Sequence, residues 1–587
     1  MNTIIDKINI WTTAQELKTS NRGRSAGNQS LLGIKKLREL ILELAVRGKL
    51  VPQDPNDESA SVLLKKIEKE KQQLIKKGEI RKSKVLSEIA DDEIPFDLPK
   101  GWIFTRLNNL GDWGAGATPN RSRHEYYGGN IPWFKSGELN RDYISISEEF
   151  VTDLALKETS LRYNKVGDVL IAMYGATIGK TSILEIPATT NQAVCACTPF
   201  VRIFNVFLLT LLKAYKSRFI GMGAGGAQPN ISREKLIATV IALPPLAEQH
   251  RIVAKVDELM ALCDELENQQ TSSNAAHETL VATLLGSLTD AGNASSFDES
   301  WQRIAMHLDT LFTTEHSIDQ LKQTILQLAV MGKLTQQNPN DEPASELLKK
   351  IAKEKSRLVK EGKIKKQAPL PEITDDEKPF GLPNSWAWVA WGNLLAYDDG
   401  AFKRGPFGSS LKKDMFVNSG YKVYEQYCPI NDDCSFERYY ITNEMYENLK
   451  TFAVKANDYL ISCSGATLGR ITQIPEDFKE GIINQALLRV RINHEYLDGT
   501  FFKLLFRSPF FQKMILDNST GSAIPNVKGV NELKSMPIPF SPLAEQHRIV
   551  AKVDELFALC DALKERLVEA QTLQNQLAVA VVEQALN

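Results

Sequence analysis

The chain is written twice. LRELILELAVRGKL at residues 37–50 returns as LKQTILQLAVMGKL at 321–334, and the match continues without a gap. The stretch Asp54-Pro55-Asn56-Asp57-Glu58 answers Asn338-Pro339-Asn340-Asp341-Glu342, LLKKIEKEK answers LLKKIAKEK, and Trp102 answers Trp386. A second block, PLAEQHRIVAKVDEL at 245–259, is repeated letter for letter at 542–556. Between these blocks lie 103–243 and 387–540, which resemble each other weakly. Internal repetition on this scale means one structural unit built twice. A frame that stays alike meets the same thing twice, while inserts that differ meet different things.

Both frame copies read as helical. Leu37, Leu40, Ile41 and Leu44 fall at i, i+3, i+4 and i+7, one apolar stripe of an amphipathic helix. Gly48 and Gly332 sit where a left-handed cap would end it. Charged helices are predicted over about 60–77 and 344–360, and the Lys-rich runs 65–84 and 349–366 interleave glutamates as a solvated face does. Ile252, Val256, Leu259, Cys263 and Leu266 are spaced four, three, four, three. Ile549, Val553, Leu556, Cys560 and Leu563 repeat this, and the spacing is that of a coiled-coil seam. An amphipathic helix packed on a globular core is the alternative. Residues 286–300, GSLTDAGNASSFDES, read as the link between halves.

Composition narrows the function. A net charge of −2 over 587 residues argues against a sequence-independent DNA coat, whose affinity comes from phosphate neutralisation. The seven cysteines lack zinc-site spacing and read as reduced structural thiols. The first residues carry no signal-type apolar core and no run is long enough to span a bilayer. The expectation is a cytoplasmic protein with no membrane partner.

The inserts carry loops suited to nucleic acid. WGAGATPNRSRHEYYGGNIPWFKSGEL (113–139) offers Thr118, Arg121, Arg123, Trp133, Lys135 and Ser136 among glycines and aromatics. DDGAFKRGPFGSSLKKD (398–414) offers Lys403, Arg404, Ser409, Ser410, Lys412 and Lys413. Basic side chains and hydroxyls in loops suit phosphate contact, while Arg, Asn and Gln suit base edges. GDVLIAMYGATIGK at 167–180 pairs with NDYLISCSGATLGR at 457–470, adding Tyr174, Lys180 and Arg470. Asn191 and Gln192 pair with Asn484 and Gln485, and Gln228 and Asn230 with the segment holding Asn526. Recurrence in both inserts makes these paired motifs fold-defining, each a Gly hairpin after a buried strand in a mixed α/β domain. GATIGKT has three residues between its glycines where a P-loop needs four. Motifs of an amino-methylating enzyme, a dinucleotide fold and a zinc protease are all missing, so no catalytic residue and no metal ligand is assigned.

Taken together and in order, these motifs resemble the specificity subunit of type I restriction–modification systems. The carriers are the paired P-L-A-E-Q-x-R-I-V segments, the paired G-A-T-x-G turns, the paired Asn-Gln-Ala, and the G-x-T-P…Y-x-G-G-x-I-P-W and G-P-F-G-S signatures. The extra block around 37–102 looks most like the type IB subgroup. The resemblance implies an α+β chain with pseudo-twofold duplication, in which two target recognition domains, 103–243 and 387–540, are held apart by conserved helices. Those helices, in 1–102, 244–386 and 541–587, would form an antiparallel coiled coil. It implies that each domain reads half of an interrupted target in double-stranded DNA. It also implies docking of two modification (methyltransferase) subunits and of restriction subunits on the frame, with Gln249, Arg251, Ile252, Val256 and Leu259, and Gln546, Arg548, Ile549, Val553 and Leu556, as frame candidates. The chain itself would be non-catalytic and without cofactor; S-adenosylmethionine, ATP and Mg2+ belong to the partners. A helix of about 40 residues spans ~60 Å, against roughly 34 Å for a DNA turn. The rival reading is a duplicated scaffold whose inserts bind proteins.

Overall fold

In the computed structural model, residues 8–14, 31–82, 86–223, 229–292, 294–366, 368–398, 400–407, 410–465, 467–516 and 526–586 are described. Gln228 and Ser409 lie outside them. The chain divides into two units, 1–274 with 570–587, and 275–569.

In the first unit the apolar stripe forms helix Leu32–Val46, followed by the charged helix Ala60–Lys76. The second unit repeats them as Glu315–Val330 and Ala344–Lys360. Gly48 and Gly332 adopt φ of 66° and 68°, so the left-handed stop read from the sequence is present in both copies. The interrupting insert follows each pair of helices, and its two ends are clasped together. Ile103–Arg106 pairs antiparallel with Val240–Leu243, and Ala387–Ala390 with Pro537–Phe540.

Within the first insert, Gly111–Ala115, Val194–Pro199, Val169–Ala172, Thr181–Leu184 and Tyr143–Ile144 lie side by side in that order. In the second, Phe402–Arg404, Leu487–Val490, Tyr459–Ser462 and Ile471–Gln473 repeat the first four places. A small second sheet also recurs, with Tyr127–Phe134 parallel to Thr189–Thr190, and Tyr421–Tyr424 parallel to Gly481–Ile483. The weakly similar inserts therefore share one topology. The segments VLIA and YLIS are fully buried central strands.

Two helices of 45 and 44 residues, Leu246–Asp290 and Leu543–Leu586, follow the inserts. The first runs into the stretch expected to be a link. Leu285 and Leu288 are buried in the second unit's core and hold it helical, and a new helix runs over Ala294–Ala305. Packing overrides the weak helix propensity of the Gly, Ser and Thr residues there.

The seam residues Ile252, Val256, Leu259 and Cys263 share a core with Leu37, Leu40 and Ile41 in the first unit. Arg38 locks that contact through Asp264 and Glu267 at 2.7 and 2.8 Å. At the other end of the same short helix, Lys49 Nζ donates to the Leu586 carbonyl at 2.9 Å. Ala578 and Val581 join this core, so the closing turns of one long helix and the opening turns of the other lie at the same end, as in an antiparallel coiled coil. The second unit repeats the device: Lys322 pairs with Asp561 at 2.5 Å, and Lys333 Nζ donates to the Thr289 and Ala291 carbonyls at 2.7 and 2.8 Å. Each lysine satisfies carbonyls at a helix end that have no intrahelical partner.

Candidate nucleic-acid interface

Part of the recognition candidates meet at one edge of each insert: Thr118, Tyr174, Asn191, Gln192 and Asn230 in the first, and Arg404, Asn484 and Asn526 in the second. In the first, the Asn191 Oδ1 accepts from the Ala193 N–H at 3.2 Å, closing a tight turn. Asn484 does the same for Ala486 at 3.1 Å. Gly116 and Gly405 press against these turns: a Cβ on either would collide with the carbonyl of Asn191 or Asn484. Their N–H groups donate to Val194 and Leu487, both at 2.9 Å. The G-A-T turns arrive alongside, with Met173 N–H bonded to the Ala193 carbonyl and Cys463 N–H to that of Ala486, both at 2.8 Å. Finally Asn230 bridges Tyr174, and Asn526 bridges Ser464. Loops far apart in sequence thus converge on one rim, and the paired motifs are what holds it together.

Side chains on the two rims differ. In the first insert Thr118, Gln192, Tyr174 and Asn230 are exposed, and the Thr118 hydroxyl donates to Gln192 Oε1. Arg121 lies over the Tyr127 and Trp133 rings and pairs with Glu149 at 2.6 Å. Arg123 pairs with Glu125 and Glu158, and Lys135 with Glu148 and Glu149. These basic groups are committed to carboxylates; exposed pairs are worth ~0–1 kcal/mol, so a phosphate can displace the acid. Ser136 and Lys180 are half-buried. One correction is needed. Trp133 is 1% exposed, with its indole N–H on the Ala117 carbonyl, so it is core and not a surface for a base.

In the second insert Lys412, Lys413, Ser410, Arg470 and Gln485 are exposed. Lys412, Lys413 and Arg470 have no carboxylate partner among the described residues. Arg404 donates to Asn526 Oδ1 at 2.9 Å. Lys403 sits 4.6 Å from the Phe452 ring centre, and burial pulls its ammonium below the ordinary lysine range. Missing from the candidates was Phe407, 83% exposed between Pro406 and the lysines. The G-P-F-G-S signature contained it, but an apolar residue was not sought in a phosphate-type loop.

At the opposite ends of the same central strands lie unequal charge clusters. Asp458 is 2% exposed and Arg489 1%. Asp458 accepts from Arg491 Nε at 2.7 Å and Nη2 at 3.1 Å, and Arg489 Nε lies 3.9 Å away. Burial pulls the Arg489 guanidinium down to about 10, where it is still charged at neutral pH. The matching Asp168 accepts from Thr198 Oγ1 at 2.9 Å in place of the arginines, and from the Lys165 N–H at 3.0 Å just as Asp458 does from the Lys455 N–H at 2.8 Å.

The frame candidates also need correction. Gln249 and Gln546 are both 0% exposed and cannot meet a partner. Gln249 accepts from the Phe204 N–H and donates to the Pro244 carbonyl; Gln546 accepts from the Asp498 N–H and donates to the Ser541 carbonyl. Glu248 is buried beside Gln249 and accepts from the Trp102 indole at 3.0 Å and from Gln53 at 2.8 Å. Glu545 accepts from Trp386 at 2.9 Å and Gln337 at 2.6 Å. Burial raises both carboxyls above the ordinary range despite these donors. Arg251 and Arg548 are tied to Asp57 and Asp341, each at 2.5 Å. Ile252, Val256, Leu259, Ile549 and Val553 are seam core, and Leu556 is half-buried. The repeated P-L-A-E-Q-x-R motif is therefore an internal lock that seats each insert on its helices. Trp386→Phe removes a donor from a buried carboxylate and is expected to cost about 1–3 kcal/mol, measured by urea unfolding.

The sequence pattern of the type I restriction modification DNA specificity domain matches residues 99–273 and 408–571. The specificity subunit of the type I restriction enzyme EcoAI from Escherichia coli is 38% identical over 100% of this chain and 99% of its own length. The chain belongs to the type I restriction enzyme specificity subunits. A second E. coli relative, the EcoEI specificity subunit, is 37% identical over 100% of the chain and 99% of its own. A solved chain from a type I restriction–modification assembly covers 84% of this one and 99% of itself at 18% identity and a TM-score of 0.46, too distant to argue from. The specificity subunit is the non-catalytic component of such an enzyme: what the matched domain carries is DNA specificity.

Proposed function

We propose that each insert of this specificity subunit reads one half of an interrupted target in double-stranded DNA, and that the helical frame docks two modification subunits and the restriction subunits. One observation carries this reading. Two copies of one strand scaffold present unlike side chains at a matching rim position, Thr118 in one and Phe407 in the other, and only the second follows it with the exposed pair Lys412 and Lys413. One fold with two chemistries suits two different half-sites read through base edges. S-adenosylmethionine, ATP and Mg2+ serve the partner subunits, which methylate adenines and move or cut DNA. On this reading the chain works in the cytoplasm, where its DNA is, and the extra helical block of 37–102 supports assigning it to the type IB subgroup. Mapping methylated adenines in host DNA with and without this gene tests the reading. A bipartite adenine motif should disappear with the gene; an unchanged methylation map rejects it.

Docking belongs on the face opposite the buried seam. Ala247, His250, Ala254, Asp257 and Ala261 are exposed, spaced three or four apart, and identical to exposed Ala544, His547, Ala551, Asp554 and Ala558. Beyond Asp264 the exposed positions diverge at once: Glu265 and Asn268 answer Ala562 and Glu565. His250 stacks on the Phe204 ring at 4.1 Å and His547 lies 3.7 Å from Asp498, but internal packing does not demand identity at the exposed alanines, whereas one partner bound twice does. Ala254→Arg and Ala551→Arg should each remove one modification subunit, read as a mass step in native mass spectrometry. Full assembly by both variants would move docking elsewhere.

A further inference from the structure

Resting on the reading of each insert as a half-site reader, we propose that positions 118 and 407 are one and the same specificity-determining place on the two rims, filled with opposite chemistry. The strand registers establish the match. Ala115 faces Cys195 and Arg404 faces Leu488 across equivalent strand pairs. The next residue in each, Gly116 or Gly405, donates its N–H to Val194 or Leu487, the residues that follow the Asn-Gln-Ala turns. Two positions on stand Thr118 and Phe407. In the first insert this place is polar: Thr118 hydrogen-bonds Gln192, the exposed glutamine of its turn. In the second it is apolar, and Phe407 at 83% is the most exposed aromatic side chain among the described residues.

Phe407 has a fixed base. Gly405 is wedged beneath Asn484, Pro406 is buried, and the Phe407 carbonyl accepts from the Ser410 N–H at 2.8 Å. The ring stands clear of the hydrophobic core; Arg404, bonded to Asn526, and the exposed Arg470 belong to the same rim, and the exposed Lys412 and Lys413 follow five and six residues after Phe407. Cations that attract phosphate hold a duplex near, and the only distinctive apolar group a base pair shows in the major groove is the thymine 5-methyl. Phe407 contacts a thymine methyl in the half-site read by 387–540. Thr118 orients the Gln192 amide, which hydrogen-bonds a base edge in the other half-site.

Replacing thymine by deoxyuridine removes that methyl and nothing else. The probe is the target duplex defined by methylation mapping, with deoxyuridine at one thymine at a time, bound by the complex of this chain with its modification subunits. The wild type should lose roughly fivefold in affinity at one thymine of the second half-site, one methyl burial being the scale involved. Phe407→Ala should bind both duplexes alike, with unchanged melting temperature because the ring is 83% exposed and contributes little to the core. Thr118→Val should relax preference at one base pair of the first half-site only. Uniform tolerance of deoxyuridine by the wild type, or a penalty that persists in Phe407→Ala, overturns the assignment of Phe407. If exchanging the whole of 387–540 changes neither half-site, the half-site reading itself has failed, and that outcome is separate.

Discussion

Exchanging residues 387–540 for the corresponding insert of another specificity subunit should replace one half of the methylated sequence and leave the other half as it was. The insert is built for such an exchange. Its ends are paired antiparallel, Ala387 with Phe540 through Ala390 with Pro537, so a graft enters and leaves through one two-stranded clamp. Its sheets close within 387–540, and the frame beneath is held by contacts outside the graft, among them Arg548 to Asp341 and Lys322 to Asp561. Each misread base pair costs ~1–3 kcal/mol. Several lost together abolish recognition of the old half-site. Sequencing of methylated adenines after the exchange gives the readout. Alteration of both halves would mean that the two inserts do not read independently.

Asp458→Ala should cost the second unit about 3–5 kcal/mol, because it leaves the buried Arg489 guanidinium without its nearest counter-charge. Arg491 loses both of its bonds to the carboxylate, and Arg489, 1% exposed, loses the acid nearest it. Asp398 still faces Arg491 at 2.7 Å, but Arg489 keeps only carbonyl partners. Asp168→Ala in the first insert removes hydrogen bonds from Thr198 and the Lys165 N–H, for about 1–3 kcal/mol. Guanidinium unfolding of the two variants measures the difference, and equal losses would show that the arginine cluster contributes nothing specific to the second insert.

The frame was legible from sequence because helices advertise themselves locally. Leu37, Leu40, Ile41 and Leu44 predicted a helix, and Leu32–Val46 is one; Gly48 predicted its stop and has the left-handed φ. The charged helices end within a residue of expectation. The stretch 286–300 was misjudged because turn-type residues carry only weak preferences, whereas Leu285 and Leu288 are pinned by residues hundreds of positions away.

The recognition rim was half legible. Its members were found because Asn-Gln-Ala and G-A-T-x-G recur, but their convergence depends on backbone bonds between loops, such as Gly116 to Val194 and Cys463 to Ala486. Which side chains face out depends on the same packing: Trp133 turns inward and Phe407 outward, although both are aromatics among glycines.

Sequence alone determined that the chain is a duplicate of helices and variable inserts, since repetition and periodicity need no coordinates. Only the tertiary structure decided why P-L-A-E-Q-x-R is repeated letter for letter. Glu248, Gln249 and Arg251 look like a polar surface motif, yet their partners Trp102, the Phe204 N–H and Asp57 come from elements distant in the chain. A polar side chain is cheap to bury only when such partners are present, and partners of that kind are visible only once the chain has folded.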